Sequence, residues 1–187
     1  YVHSERAGKR VMETVSRFIT ERLKLKDNTS KSAVARPRQR KFLGFSFTGG
    51  REPKRRIAPK AIIRFKEKVR EMTRRTKGQS LRQVKVPLNQ YLRGWRGYFG
   101  FCQTPSVLGI LDGWIRRRLR SIAWKQWKRG RRRFAELTKR GVGKDLAAQT
   151  AGSCHGPWRI SKSPALSFAL PNRIWDLLGI QRVMPNR

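Results

Sequence analysis

Apolar residues recur at helical spacing along four stretches of the chain. In the longest stretch, Leu108, Leu111 and Ile115 begin a stripe that continues through Leu119 and Ile122, with charged residues between them. Positions three and four apart lie on one face of an α-helix, so this pattern predicts helices with one buried side. The predicted helices cover residues 5–22, 59–77, 87–102 and 105–128, and the last three are expected to pack as a three-helix bundle over 59–128.

Two shorter stretches, 31–37 and 40–48, are strand candidates, and the second alternates in hydrophobicity before Gly49-Gly50 ends it. So few strands cannot make a stable sheet alone, which indicates the edge of a mixed α+β domain. The predicted organisation is therefore an α+β part (1–50), a basic linker (51–58), the helical bundle (59–128) and a looser basic tail (129–187).

The charge of the chain indicates that the protein binds a partner of opposite charge. There are 46 Lys and Arg residues against 11 Asp and Glu, a formal net charge of +35 over 187 residues. Such a chain repels itself unless a polyanion neutralises it, which favours RNA or DNA as the partner. No apolar run approaches the roughly 20 residues that span a bilayer, so no membrane is expected. With only two cysteines, a reducing cytoplasmic location is the simple expectation.

The strongest local signal is a run of one charge sign over residues 114–133. It holds ten Lys and Arg and no acid, whereas solvated helix faces normally mix signs to form ion pairs. Trp124 and Trp127, three apart within the run, either stack on nucleic-acid bases or cover the end of the third helix. The candidate RNA-binding residues are Arg64, Lys68, Arg74, Arg75, Arg93, Arg96, Arg116, Arg117, Arg118, Arg120, Trp124, Lys125, Trp127, Lys128, Arg129, Arg131, Arg132 and Arg133.

Nothing in the sequence marks a catalytic or metal centre. Two-metal nucleotidyl transfer needs carboxylates held close together, but no two acids are adjacent and none form a D-x-D pattern. Glu67 and Glu71 are one turn apart among basic residues, which favours helix-surface ion pairs. Cys154 and His155 lack partners at zinc spacing. The residues alone therefore predict a polyanion-binding protein with no catalytic residue, no metal ligand and no cofactor of its own.

Four ordered segments together resemble the C-terminal half of group II intron-encoded reverse transcriptases, also called maturases. They read LKLKDNTSKSAV, RKFLGFSF, RFKEKVREMTRRT and LNQYLRGWRGYFGFCQTPSVLGILDGWIRRRLR. The resemblance implies an α+β fragment of a right-hand polymerase palm, followed by a mainly α three-helix-bundle thumb, the maturase-specific domain X. It also implies RNA partners, namely the intron RNA and the template–primer duplex, with a DNA target as a further partner.

The resemblance also assigns roles near the start of the chain. LKLKDNTSKS is similar to the sixth reverse-transcriptase block, which puts Lys31 near an incoming nucleotide, although a simply solvated lysine is the alternative. FLGF is similar to the seventh block, so Phe42, Leu43, Gly44 and Phe45 are expected near the primer end, with the two phenylalanines packed. The family's Y-A-D-D aspartates, which hold Mg²⁺ in the intact enzyme, and its fingers are absent. We therefore expect no polymerase activity from this chain without those N-terminal parts.

Two other interpretations remain open at this stage. One is a stand-alone, non-enzymatic maturase-like factor that stabilises folded intron RNA. The other is a polybasic protein of ribosomal or chromatin type, although six tryptophans and regular amphipathic helices favour a folded domain with its own core.

Overall fold

The structure is a computed structural model that describes residues 2–184. The chain divides into two compact units, Tyr1–Ala58 and Pro59–Arg187. The boundary lies where the sequence changes from a basic linker to a continuous helical pattern.

The first unit contains one long helix and a small sheet. Helix α1 (Glu5–Glu21) begins where the Ser4 side chain accepts a hydrogen bond from the Ala7 amide at 3.2 Å. Strands β1 (Phe45–Phe47) and β2 (Arg55–Ile57) pair antiparallel, with Phe45 opposite Ile57. A 3₁₀ turn spans Pro37–Gln39.

Three expectations for this unit are corrected. Residues 31–37 do not form a strand, the strand predicted over 40–48 is limited to Phe45–Phe47, and the predicted linker supplies its partner at Arg55–Ile57. The alternating pattern was correct only where a second strand was available to complete the hydrogen-bond ladder. A palm fragment is not confirmed by a ladder of this size.

The second unit opens with the three predicted bundle helices, α2 (Pro59–Met72), α3 (Leu81–Phe99) and α4 (Ser106–Gln126). Helix α3 begins six residues before the predicted start at Pro87, because Ser80 and Gln83 form a reciprocal capping box. Helix α2 ends earlier than predicted, and Gly78 instead takes a left-handed turn with φ 66° between α2 and α3.

The predicted apolar stripes form the core of this unit. Phe65, Leu88, Leu92, Leu108 and Leu111 are fully buried or nearly so. An aromatic cluster joins α2 to α3, with ring centroids 4.5 Å apart for Phe65 and Trp95 and 4.6 Å apart for Trp95 and Phe99. Burying side chains of this size stabilises a fold by roughly 1.5–3 kcal/mol each.

The predicted loose tail is wrong: most of residues 130–184 are helical and packed into the second unit. The helices are α5 (Gly130–Lys139), α6 (Lys144–Ala151), α7 (Pro157–Ile160), α8 (Pro164–Ala169) and α9 (Asn172–Leu177). They bury small residues such as Ala147, Ala151 and Ala165 beside a few large ones such as Leu137 and Trp175. Short helices with alanine interfaces carry no long stripe, so periodicity could not reveal them.

A buried ion-pair network anchors the C-terminal segment to α4. The Arg116 guanidinium, 2% exposed, lies 3.1 Å from an Asp112 carboxylate oxygen and 2.9 Å from one of Asp176. The Asp112 carboxylate also accepts hydrogen bonds from the Val183 and Met184 amides, each at 2.9 Å. This corrects the expectation that Arg116 contacts phosphate, since its guanidinium is buried and already binds two carboxylates.

Candidate nucleic-acid interface

Other arginines of the RRRLR run also bind the protein itself. The Arg117 guanidinium lies 3.9 Å above the Trp158 ring centroid and donates to the Trp158 carbonyl at 3.1 Å. Arg120 donates to the Leu170 carbonyl at 2.8 Å and to the Asn172 side chain at 3.1 Å. Both are half-buried, and their donors hold α7 and the α8–α9 connection against α4. Their contact with phosphate stays a prediction.

Arg118 ties α4 to the end of α2. Its Nε donates to the Thr73 hydroxyl at 2.6 Å and its Nη2 to the Thr73 carbonyl at 3.2 Å. Burial lowers the pKa of Arg118 to about 10, and the nearby charges of Arg75 and Arg70 add to the effect. Arg118 thus remains charged at neutral pH and fixes this junction, and its contact with phosphate stays a prediction.

Trp124 and Trp127 do not present their rings to solvent. They are 0% and 6% exposed, and they meet edge to face with centroids 5.9 Å apart. The Arg133 guanidinium covers Trp124 at 4.7 Å from the ring centroid. The prediction that these two rings stack on bases is therefore corrected, and they close the end of α4, the alternative left open by the sequence.

A basic cleft remains where the ends of α2 and α4 meet the start of α5. Its volume is about 450 Å³. The cleft cations are Arg74, Arg75, Lys125, Lys128 and Arg133, and no acidic residue lines the walls. All five were candidates from the sequence, but Arg74 and Arg133 lie 59 positions apart in the chain, and only the fold brings them together.

Local geometry holds the cleft open. The Gln126 side chain donates to the Gln79 carbonyl at 2.9 Å, which joins the end of α4 to the loop after α2. Lys128 takes a left-handed backbone conformation with φ 33°, which turns the chain sharply between α4 and α5. A non-glycine residue in this region is uncommon and is often found at functional sites.

The cleft cations have few partners within the protein. Among residues 2–184, no ion pair or side-chain hydrogen bond engages Arg74, Arg75, Lys125 or Lys128. The Nε of Arg133 is buried without a hydrogen-bond acceptor. Five cations converging without an acid create a strong positive potential, which suits a phosphate backbone.

The remaining basic candidates are spread over the surface of the second unit. Arg64, Arg93, Arg129 and Arg131 are exposed. Lys68 pairs with Glu71 at 2.9 Å, and this contact lowers the pKa of Glu71. Arg132 lies 4.0 Å from Glu136, and Arg96 is half-buried on α3.

The residues assigned to the primer end lie in the first unit. Phe42 and Phe45 close a tight turn through reciprocal backbone hydrogen bonds of 2.9 Å, and Gly44 supplies the φ of 76° that this turn requires. Phe45 is buried, whereas Phe42 is 76% exposed, so its predicted packing is wrong. Lys31 is exposed in a turn in which its amide donates to Asn28. Their placement near a primer stays a prediction.

Comparison with known families identifies the helical part of the chain. Residues 62–141 match the family model of the group II intron maturase-specific domain. The match runs from the first turn of α2 to the glycine after α5, and it contains all the cleft cations. Residues 62–141 therefore form a group II intron maturase-specific domain, and the resemblance drawn from the sequence is confirmed over this part of the chain. A comparison with curated proteins gives no match.

Residues 2–184 show neither a membrane-spanning helix nor a group of metal-ligating side chains. No helix there combines the length and apolar composition needed to cross a bilayer. No three His, Cys, Asp or Glu side chains lie together in an arrangement that would hold a metal ion. The carboxylates of residues 2–184 therefore do not fit a Mg²⁺ site.

Proposed function

We propose that this maturase-specific domain binds intron RNA by its phosphate backbone, with the basic cleft as the principal contact. The observation that carries the proposal is the convergence of five cations and no acid at the junction of α2, α4 and α5. The family match supplies the nature of the RNA, since the domain is that of group II intron maturases.

The chemistry of the cleft suits phosphate rather than a small apolar ligand. Arg74 and Arg75 carry planar guanidinium groups that can donate two parallel hydrogen bonds to one phosphate. Lys125 and Lys128, which also line the cleft, act as compact point charges. Phosphate contacts fix the position of RNA without reading its sequence, so specificity must come from the shape of the RNA.

The dependence of affinity on salt concentration tests this proposal. The full chain is titrated with a group II intron RNA over a salt series, and log affinity is plotted against log salt. Each lost phosphate contact reduces the slope by about 0.7–0.9, so the double variant Arg74→Gln, Lys125→Gln should reduce it by about 1.4–1.8.

A matched control removes the same charge elsewhere. Lys144 and Lys162 are exposed cations that do not line the cleft, and the double variant Lys144→Gln, Lys162→Gln should leave the slope near the wild-type value. Equal losses of slope for the two double variants would show that total charge, not the cleft, drives binding.

We extend the proposal to the role of the domain in the intact protein: splicing of the intron, and grip on a template–primer duplex during RNA-directed DNA synthesis. The support is the family match for splicing, and the resemblance of residues 23–45 to palm blocks for synthesis. A primer-extension assay with Mg²⁺ tests the second part. We expect no synthesis by this chain alone, and synthesis when the segment with the Y-A-D-D aspartates is joined to it.

If the stand-alone alternative is correct, this chain alone should promote intron splicing. A splicing assay with the full chain and its intron RNA therefore separates a self-sufficient splicing factor from one part of a polymerase.

A further inference from the structure

A second groove lies at the end of α3, outside the basic cleft. It has a volume of about 410 Å³ and is lined by Arg93, Arg96, Gly97, Gly100, Phe101 and Gln181. Within residues 2–184, no ion pair or side-chain hydrogen bond engages Arg93 or Arg96. The Phe101 ring is 53% exposed. This groove therefore combines two cations with an aromatic face and has no acid.

Gly97 forms part of the floor and has no packing role within the described protein. A Cβ built on Gly97 would meet nothing within 4 Å, whereas one on Gly100 would lie 2.5 Å from the Arg96 carbonyl oxygen. Gly100 is thus required by the close approach of its own chain. Glycine within a helix costs stability relative to alanine, and at Gly97 no contact inside the protein explains that cost.

Gln181 forms the other edge and is held in place by the chain. Its amide donates to the Asn89 side-chain oxygen at 2.9 Å, and the Asn89 nitrogen donates to the Gly179 carbonyl at 2.6 Å. These bonds fix the segment after α9 against α3. Gln181 lines the groove, and its side-chain nitrogen donates to the Arg182 carbonyl at 3.4 Å, so its side-chain oxygen is the group that can accept a hydrogen bond from a ligand.

We propose that this groove binds one unpaired nucleotide of RNA. The base stacks on Phe101, the flanking phosphates lie at Arg93 and Arg96, and the sugar–phosphate backbone approaches the bare helix surface at Gly97. An aromatic ring between cations is the arrangement by which proteins bind single strands, since every base has a stacking face. A duplex keeps its bases stacked inside, so the groove selects unpaired RNA. The inference depends on the proposed function in that the ligand is RNA.

Gly97→Ala tests the proposed groove site, and Gly94→Ala is its matched control. Gly94 lies on the same helix, would also meet nothing within 4 Å as alanine, and does not line the groove. Gly97→Ala and Gly94→Ala should each raise the melting temperature of the full chain by about 1–4 °C. Only Gly97→Ala should weaken binding of oligouridylate, by roughly fivefold or more, which corresponds to the least cost of a methyl group forced into a close contact.

Phe101→Leu is a second, independent test of the groove site. Phe101→Leu keeps an apolar side chain but removes the stacking face, and it should weaken oligouridylate binding by roughly tenfold. Binding of a blunt duplex of oligouridylate and oligoadenylate, at the same salt concentration, should be unchanged. Melting curves establish that each variant is folded before binding is compared.

The outcomes separate this inference from the proposed function. If Gly97→Ala binds oligouridylate as well as Gly94→Ala does, or if Phe101→Leu affects single strand and duplex equally, the groove is not a site for unpaired nucleotides. Either result leaves the salt slope of the cleft variants untouched, and that slope alone decides the phosphate proposal.

Discussion

Replacing Arg116 with leucine tests whether the RRRLR run is a structural element. The guanidinium is 2% exposed and joins Asp112 on its own helix to Asp176 on α9 through contacts of 3.1 and 2.9 Å. Its removal leaves Asp112 buried without its counter-ion, although the Val183 and Met184 amides still donate to that carboxylate. Removal of one partner from a buried pair costs about 3–5 kcal/mol.

A loss of this size is a large part of the stability of a domain, which is commonly about 5–15 kcal/mol. Urea denaturation followed by tryptophan fluorescence measures it specifically, because all six tryptophans lie between Trp95 and Trp175, in the second unit. Arg131→Leu is the matched control, since Arg131 is exposed and makes no ion pair within residues 2–184. Its effect should stay within about 0.5 kcal/mol.

One result would contradict a structural role for Arg116. If Arg116→Leu unfolds at the wild-type urea concentration and reduces the salt slope of RNA binding by about 0.7–0.9, Arg116 contacts phosphate and the buried network is not what stabilises the fold. Arg116→Lys adds a second readout. It keeps the charge but loses the planar fork that reaches two carboxylates, so it should be destabilised as well.

Three further predictions concern stability. The hydrogen bond from Arg182, together with Arg116, lowers the pKa of Asp176 from 3.8 to about 2. The carboxylate therefore stabilises the fold fully above about pH 4, and this contribution is lost as the pH falls toward 2. Asp176→Asn should flatten the curve of unfolding free energy against pH in that range, and a curve unchanged there would contradict the assignment. Ser80→Ala removes the capping box of α3 and should cost about 1 kcal/mol in urea denaturation, whereas Ser106→Ala, at a first turn with no side-chain cap, should cost less. Leu137 on α5 is fully buried, so Leu137→Ala opens a cavity and should cost about 2–5 kcal/mol; a change near zero would mean that residues 130–151 fold apart from the bundle.

The sequence predicted those parts of the fold that depend on local periodicity. The stripe on α4 predicted a helix over 105–128, and the structure has it at Ser106–Gln126. Apolar residues at helical spacing are buried along α4, so the pattern predicted both the helix and its buried face there. On α1 it predicted the helix but not the burial, since Val11, Val15 and Phe18 are about half exposed. It failed for α5 to α9, where alanines and short lengths leave no stripe to detect.

The sequence could not predict which cations remain available to a partner. An unbroken run of arginines on a helix points in all directions, since each residue advances the helix by a fixed rotation. Helices α7 and α9 then pack against α4 and engage Arg116 and Arg117 through their carbonyl and carboxylate groups. No local signal marks these acceptors, because they lie 41 to 60 positions away in the chain.

By itself, then, the sequence determined the high positive charge, the bundle helices and the resemblance to intron maturases, since charge total, periodicity and ordered motifs are properties of the chain alone. Only the tertiary structure separated arginines that hold the fold from those that line a cleft. Burial and the meeting of distant residues create that difference: Arg116 is enclosed by two carboxylates, whereas Arg74 and Lys125 both line a cleft without an acid. The physical reason is that a guanidinium binds whichever acceptor the packed chain brings within reach.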